Sequence, residues 1–155
     1  MAGTILKMNF KVKLAVAFIS ISPCLGVGAK AMAPEDFARM NNDDEATFVT
    51  MLVEGSAQVL KAHGQPDQAA KAVALFRDPG KDGGVSQFAA NLKMVNAVNK
   101  RNAINPNNRA PVLQVEDAME LTLKGAGIIV PTSALLAISR DFRPIGPPRQ
   151  HNYNP

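Results

Sequence analysis

Apolar residues recur at three- and four-residue intervals through much of this chain, and that spacing predicts amphipathic helices. One stripe comprises Val85, Phe88, Ala89, Leu92, Val95 and Ala97 or Val98, with Gly83 and Gly84 opening it. The turn from Asn102 to Pro111 stops that helix, because Pro106 biases Asn105 away from the α region and asparagines tolerate turn conformations. Pro111 then suits the first position of a second helix, where Val112, Val115, Ala118, Met119 and Thr122 face one side and Leu121 and Leu123 widen it. Helices joined by a short turn tend to lie antiparallel, so the rest of the chain is expected to pack around this pair.

The same pattern places helices near 43–63, 66–77, 85–101, 111–124 and 133–141. In the first, Phe48, Leu52, Ser56, Val59 and Leu60 trace one face, Val49, Val53 and Ala57 widen it, and Gly64 stands where a left-handed C-cap belongs. Gly55 in its middle costs up to about 1 kcal/mol of helix propensity, which calls for close approach of another helix. The 66–77 helix is rich in alanine, so Leu75 and Phe76 must supply most of its anchoring. Upstream, Pro34-Glu35-Asp36-Phe37 resembles the first turn of a short helix; downstream, Ile128-Ile129-Val130 suits a buried strand-like link, and Thr132 or Ser133 a cap. Together these predict an all-α fold, a small bundle of four to five helices in a single domain, with Phe48, Leu52, Phe88, Leu92, Val115 and Met119 in its core.

The first 31 residues read as a secretory signal. Lys7, Lys11 and Lys13 precede a 15-residue apolar run from Leu14 to Gly28, and Ala29-Lys30-Ala31 carries the small residues that signal peptidase requires. A membrane span needs roughly 20 residues, and this run is shorter and contains Pro23. Cleavage after Ala33 would put Pro34 just beyond the scissile bond, so the expected first residue after processing is Met32. A lipoprotein would need Cys24 to end a lipobox, but Pro23 occupies a position that calls for a small flexible residue. The expected layout is a signal at 1–31, a helical domain at 32–143 and a disordered proline-rich tail at 144–155, with the protein periplasmic or secreted and touching the membrane only through the signal before cleavage.

Processing changes the electrostatics. Four of the 17 basic residues lie in 1–31 with no acid among them, leaving 13 bases against 13 acids. The basic pI of 9.4 therefore belongs to the discarded segment, and no nucleic-acid partner is expected. The single cysteine, Cys24, leaves with the signal, so an exported domain of 124 residues must be held by its core without a disulfide.

Catalytic chemistry has little material. Asp78, Asp82 and Gly83 fit a calcium loop, but Gly80 and Ala89 stand where two oxygen ligands belong, so a plain turn is the better reading and no metal is expected. With His63 at a helix end and His151 in the tail, no histidine-based triad or zinc set can be assembled, and His63 is read as a cation at a helix C-terminus. The acidic runs at 43–45 and 116–120 suit solvated helix starts and faces. No catalytic residue and no cofactor is assigned.

The segments Leu52-Val53-Glu54-Gly55, Leu75-Phe76-Arg77-Asp78-Pro79, Gly84-Val85-Ser86-Gln87-Phe88 and Asn105-Pro106-Asn107-Asn108-Arg109-Ala110-Pro111, closing on Ala118-Met119 and Leu121, follow one another over 47–123. This arrangement resembles the small helical periplasmic immunity proteins of the Rap/Tai type, which resist type VI secretion effectors. It departs from them in lacking their cysteines and in having Leu52 at the position of their aromatic residue. The resemblance implies an all-α fold and binding of another protein rather than catalysis. Acid-stress chaperones of the Hde type are similarly small, exported and helical, and supply the alternative. The expected partner surface is polar and exposed: Asp78, Lys81 and Asp82 in one turn, with Asn105, Asn107, Asn108 and Arg109 in a turn taken to adjoin it. Arg109 has a second reading, a fork that fixes the two helices.

Overall fold

Asn41 starts one of the two longest helices. Its side-chain carbonyl accepts the Asp44 N–H at 2.8 Å, an N-cap for a 21-residue helix with three acids in its first turn. The computed structural model describes residues 31–149 apart from 106, 108 and 109; residues 1–30 of the expected signal at 1–31, Asn108, Arg109 and the end of the tail at 150–155 lie outside the described residues. Within them the protein is all-α: α1 (Pro34–Ala38), α2 (Asn42–Ala62), α3 (Pro66–Arg77), α4 (Gly84–Ile104), α5 (Val115–Gly125) and α6 (Thr132–Ser139) form one small bundle. The count exceeds the expected four to five because the single turn begun by Pro34 is itself a helix.

Helix ends follow local chemistry. Gly64 and Gly127 have φ of +73° and +74°, and each closes a Schellman motif: the Gln65 N–H reaches the Leu60 carbonyl at 2.9 Å, and the Ile128 N–H reaches that of Leu123 at 2.9 Å. His63 sits at the α2 C-cap with its Nδ1 2.8 Å from the Val59 carbonyl. Beyond Gly127, Ile128 and Val130 are buried while Ile129 is exposed, the alternation of an extended link. Thr132 is the first residue of α6 rather than its cap, and its hydroxyl donates to Glu120 on α5.

Packing makes two helix pairs, α2 with α3 and α4 with α5, and α6 bridges α2 and α5. The centre is therefore shared between α2 and α5 rather than built around α4 and α5 alone. Phe37, Phe48, Phe88 and Phe142 form an aromatic knot with ring centroids 4.9–5.9 Å apart, mostly edge to face. Phe48, Leu52, Val115 and Met119 are fully buried and Phe88 is nearly so. Gly55 has the predicted neighbour, since a Cβ there would lie 2.8 Å from Ile138 on α6. Buried hydroxyls find local partners: Ser56 donates to the Leu52 carbonyl, and Thr122 donates to Ala118 and accepts from Asn91.

Further sequence expectations need correction, among them that the acids Asp44 and Glu116 are solvated, since both are buried. The helix expected from Pro111 begins at Val115, because the Asn99 side chain on α4 accepts the Leu113 N–H at 2.9 Å and donates to the Leu113 carbonyl at 2.8 Å, which holds that residue extended. The Asp117 carboxylate then accepts the Gln114 N–H at 2.6 Å and sets the helix start there. Leu92 is only half-buried and Val85 is 55% exposed, so the buried line of α4 is Phe88 to Val95. The described part of the tail, 144–149, is extended but docked, by polar contacts rather than an apolar stripe: Asp44 accepts the Ile145 and Gly146 N–H groups at 3.0 Å, and the Arg149 N–H reaches the Arg39 carbonyl at 2.8 Å.

Candidate functional site

The two turns expected to form one surface lie at opposite ends of α4. Asp78, Lys81 and Asp82 precede its first residue, whereas Asn105 and Asn107 follow its last, and a helix of 21 residues is about 30 Å long. They do not adjoin. Asp78 is engaged locally, its Oδ1 accepting the Gly80 N–H at 2.8 Å, and the Asp82 carbonyl accepts from the Gln87 side chain. Lys81 is exposed, and Asn105 is exposed with its side-chain oxygen accepting the Asn107 N–H at 3.1 Å. These contacts are those of self-contained turns, which leaves the expected Asp78, Lys81 and Asp82 as one patch and Asn105 with Asn107 as another.

Between these ends α4 borders an apolar groove of about 480 Å³. It is lined by Val49 and Val53 on α2, Val73 and Phe76 on α3, and Val85, Ala89 and Leu92 on α4, with the buried rings of Phe37 and Phe88 among them. Two carboxylates, Glu45 and Glu54, and the Arg77 guanidinium stand at its edge. On α3 the small residues Ala69 and Ala72 are buried, while Val73, Phe76 and Arg77 line the groove. Volume and composition fall in the range of preformed ligand and peptide sites. Reasoning from the sequence missed this site, although one signal bore on it: α2 and α4 carry apolar stripes wider than one neighbour can cover.

On the far side of α1, Asp44 organises a second polar centre. It is 5% exposed and accepts from Ile145, Gly146 and the Asn41 amide. The Ile145 N–H, helped by those of Gly146 and Asn41, outweighs desolvation and holds its carboxyl below the ordinary value of 3.8. Arg149 reaches Glu45 at 2.7 Å, a partly exposed ion pair of small energetic weight. Among the described residues no three His, Cys, Asp or Glu side chains are placed to hold a metal ion, and no helix is long and apolar enough to cross a membrane. No family model, no curated protein and no solved structure matches this chain.

Proposed function

We propose that this chain is an exported, non-catalytic protein that binds another protein, in the manner of an immunity-type inhibitor, through the groove between α2, α3 and α4. The observation that carries this reading is a preformed apolar trough on rigid helices, with aromatic rings at depth and charges of both signs on its rim. Such a surface suits an amphipathic segment whose apolar side chains fill the trough and whose charges meet Glu54 and Arg77. The test is affinity capture from periplasmic extract at neutral pH, alongside challenge of a deletion strain by attacking neighbours. Ala89→Arg, at an exposed position in the groove wall, should abolish capture of one stoichiometric partner while leaving the fold intact. If capture survives Ala89→Arg but is lost with Arg109→Ala or Asn105→Ala, the turn after α4 is the binding surface instead.

A stress chaperone is the second reading, favoured by one feature, the Asp44 lock on residues 144–149. A carboxylate whose folded pKa lies below its unfolded value stabilises the docked tail fully above about pH 4, and that contribution is lost as pH falls through the folded pKa. Acid would thus free the tail and uncover Met40, which lines the space beneath it together with Pro144 and Pro148. Suppression of client aggregation near pH 3 but not at pH 7, with no partner at neutral pH, would favour the chaperone.

A further inference from the structure

Glu116 is completely buried, and its carboxylate is only half used: Oε1 accepts one N–H, that of Met32, at 3.1 Å, while Oε2 has no hydrogen-bond partner. A buried carboxylate with a single neutral donor is costly, because water has been removed without an opposite charge or a full set of donors to replace it. Met32 is also the residue that the secretory reading makes the first of the processed chain, and it is held at both ends of its backbone: its carbonyl accepts the Val115 N–H at 3.0 Å.

We infer that Glu116 is a built-in receptor for the α-ammonium group of Met32, generated by cleavage after Ala31, so that removal of the signal completes the core. The inference rests on the secretory reading of residues 1–31. Hydrolysis of the Ala31–Met32 amide by a signal peptidase consumes one water; its oxygen stays on the Ala31 carboxyl, and the Met32 nitrogen becomes a primary amine that takes up a proton. The same nitrogen that lies 3.1 Å from Oε1 then carries a positive charge and three N–H donors. One donor keeps the bond to Oε1, and another can turn to the unpartnered Oε2 of the same carboxylate. In the uncut chain that nitrogen offers one neutral donor, and Glu116 is a buried charge without a counter-charge at this bond. Cleavage after Ala33 would discard both Met32 bonds and make Pro34 the new terminus, removing the Ala33 carbonyl that accepts the Phe37 N–H at 3.0 Å and starts α1.

The experiment has three readouts. N-terminal sequencing of the exported protein should begin at Met32; any other terminus overturns the processing step. The stability of the 32–155 chain, released from a cleavable fusion so that its α-amine is free, is then compared with that of the same chain carrying Gly-Gly-Ala before Met32, each with and without Glu116→Gln. Glu116→Gln should lower the folding equilibrium constant by about tenfold or more beyond its effect in the extended chain. Equal losses overturn the ion pair while leaving export intact. Should the Glu116→Gln chain not fold, acylation of the wild-type α-amine, followed on its N-terminal peptide by mass spectrometry, decides the matter. Native protein should react about tenfold more slowly than the urea-unfolded chain, and equal rates refute the pairing.

Discussion

Replacing Gly55 by alanine sets two effects of similar size against each other. In an unconstrained helix interior, alanine is favoured over glycine by about 1 kcal/mol. In α2, however, the new Cβ would lie 2.8 Å from Ile138 Cδ1, 2.8 Å from Cγ2 and 2.9 Å from Cγ1. The Cδ1 atom could swing away, but Cγ1 and Cγ2 both branch from the Ile138 Cβ, and a β-branched χ1 in a helix has one strongly preferred rotamer. No rotation clears both, so α6 must shift from α2, and overpacking of this kind costs typically about 1–3 kcal/mol. Gly55→Ala should therefore destabilise the wild-type chain by about 1 kcal/mol. In an Ile138→Ala background all three atoms are gone, and the same substitution should stabilise by about 1 kcal/mol. The predicted coupling is about 2 kcal/mol, measurable by urea unfolding of the four chains followed by far-ultraviolet circular dichroism, with midpoints shifting at constant m. A Gly55→Ala chain more stable than wild type, or a coupling under about 0.5 kcal/mol, would refute the close approach of α2 and α6.

Asn99→Ala should cost about 1–3 kcal/mol, because it leaves the Leu113 N–H and carbonyl without their partner, and hydrogen exchange at the Leu113 amide should quicken more than at Leu123. Phe48→Ala, at the fully buried centre of the aromatic knot, should cost about 3–5 kcal/mol, whereas Leu92→Ala, half-buried at the groove, should cost only about 1–2 kcal/mol; equal losses would mean the groove is closed in solution. Lowering the pH through the folded pKa of Asp44 should release residues 144–149 before the helices melt, seen as loss of the Ile145 and Gly146 amide shifts in NMR between about pH 4 and lower values. Asp44→Asn should produce that release at neutral pH.

The groove and the buried carboxylate lie in different parts of the bundle. Phe37 of the single-turn α1, Val73 and Phe76 of α3 and the facing apolar residues of α2 and α4 line the trough without filling it. At the other end of α1, chain entering at Met32 is laid across the start of α5 and pulls Glu116 into the interior.

What the sequence by itself determined is local. Gly64 ends α2 because a left-handed residue is cheapest there, Pro66 begins α3 because its missing N–H is not needed in a first turn, and the period of Phe48, Leu52 and Ser56 states which face of α2 is inward. The separation of the two polar turns was legible as well, since a stripe from Val85 to Val98 already implies a helix about 20 Å long between them. The tertiary structure alone decided the rest. Pro111 marks a helix start in isolation, but the Asn99 side chain, 14 residues away, takes both polar groups of Leu113 and delays the helix to Val115. Glu116 looks like one acid of a solvated first turn until Met32, 84 residues distant, is laid over it. Asp44 looks like a helix-start acid until Ile145 and Gly146 return to it across more than 100 positions. Periodicity records which residues prefer burial along one helix; it holds no information about which distant backbone will donate a hydrogen bond to a given side chain, because that depends on the closure of the whole bundle.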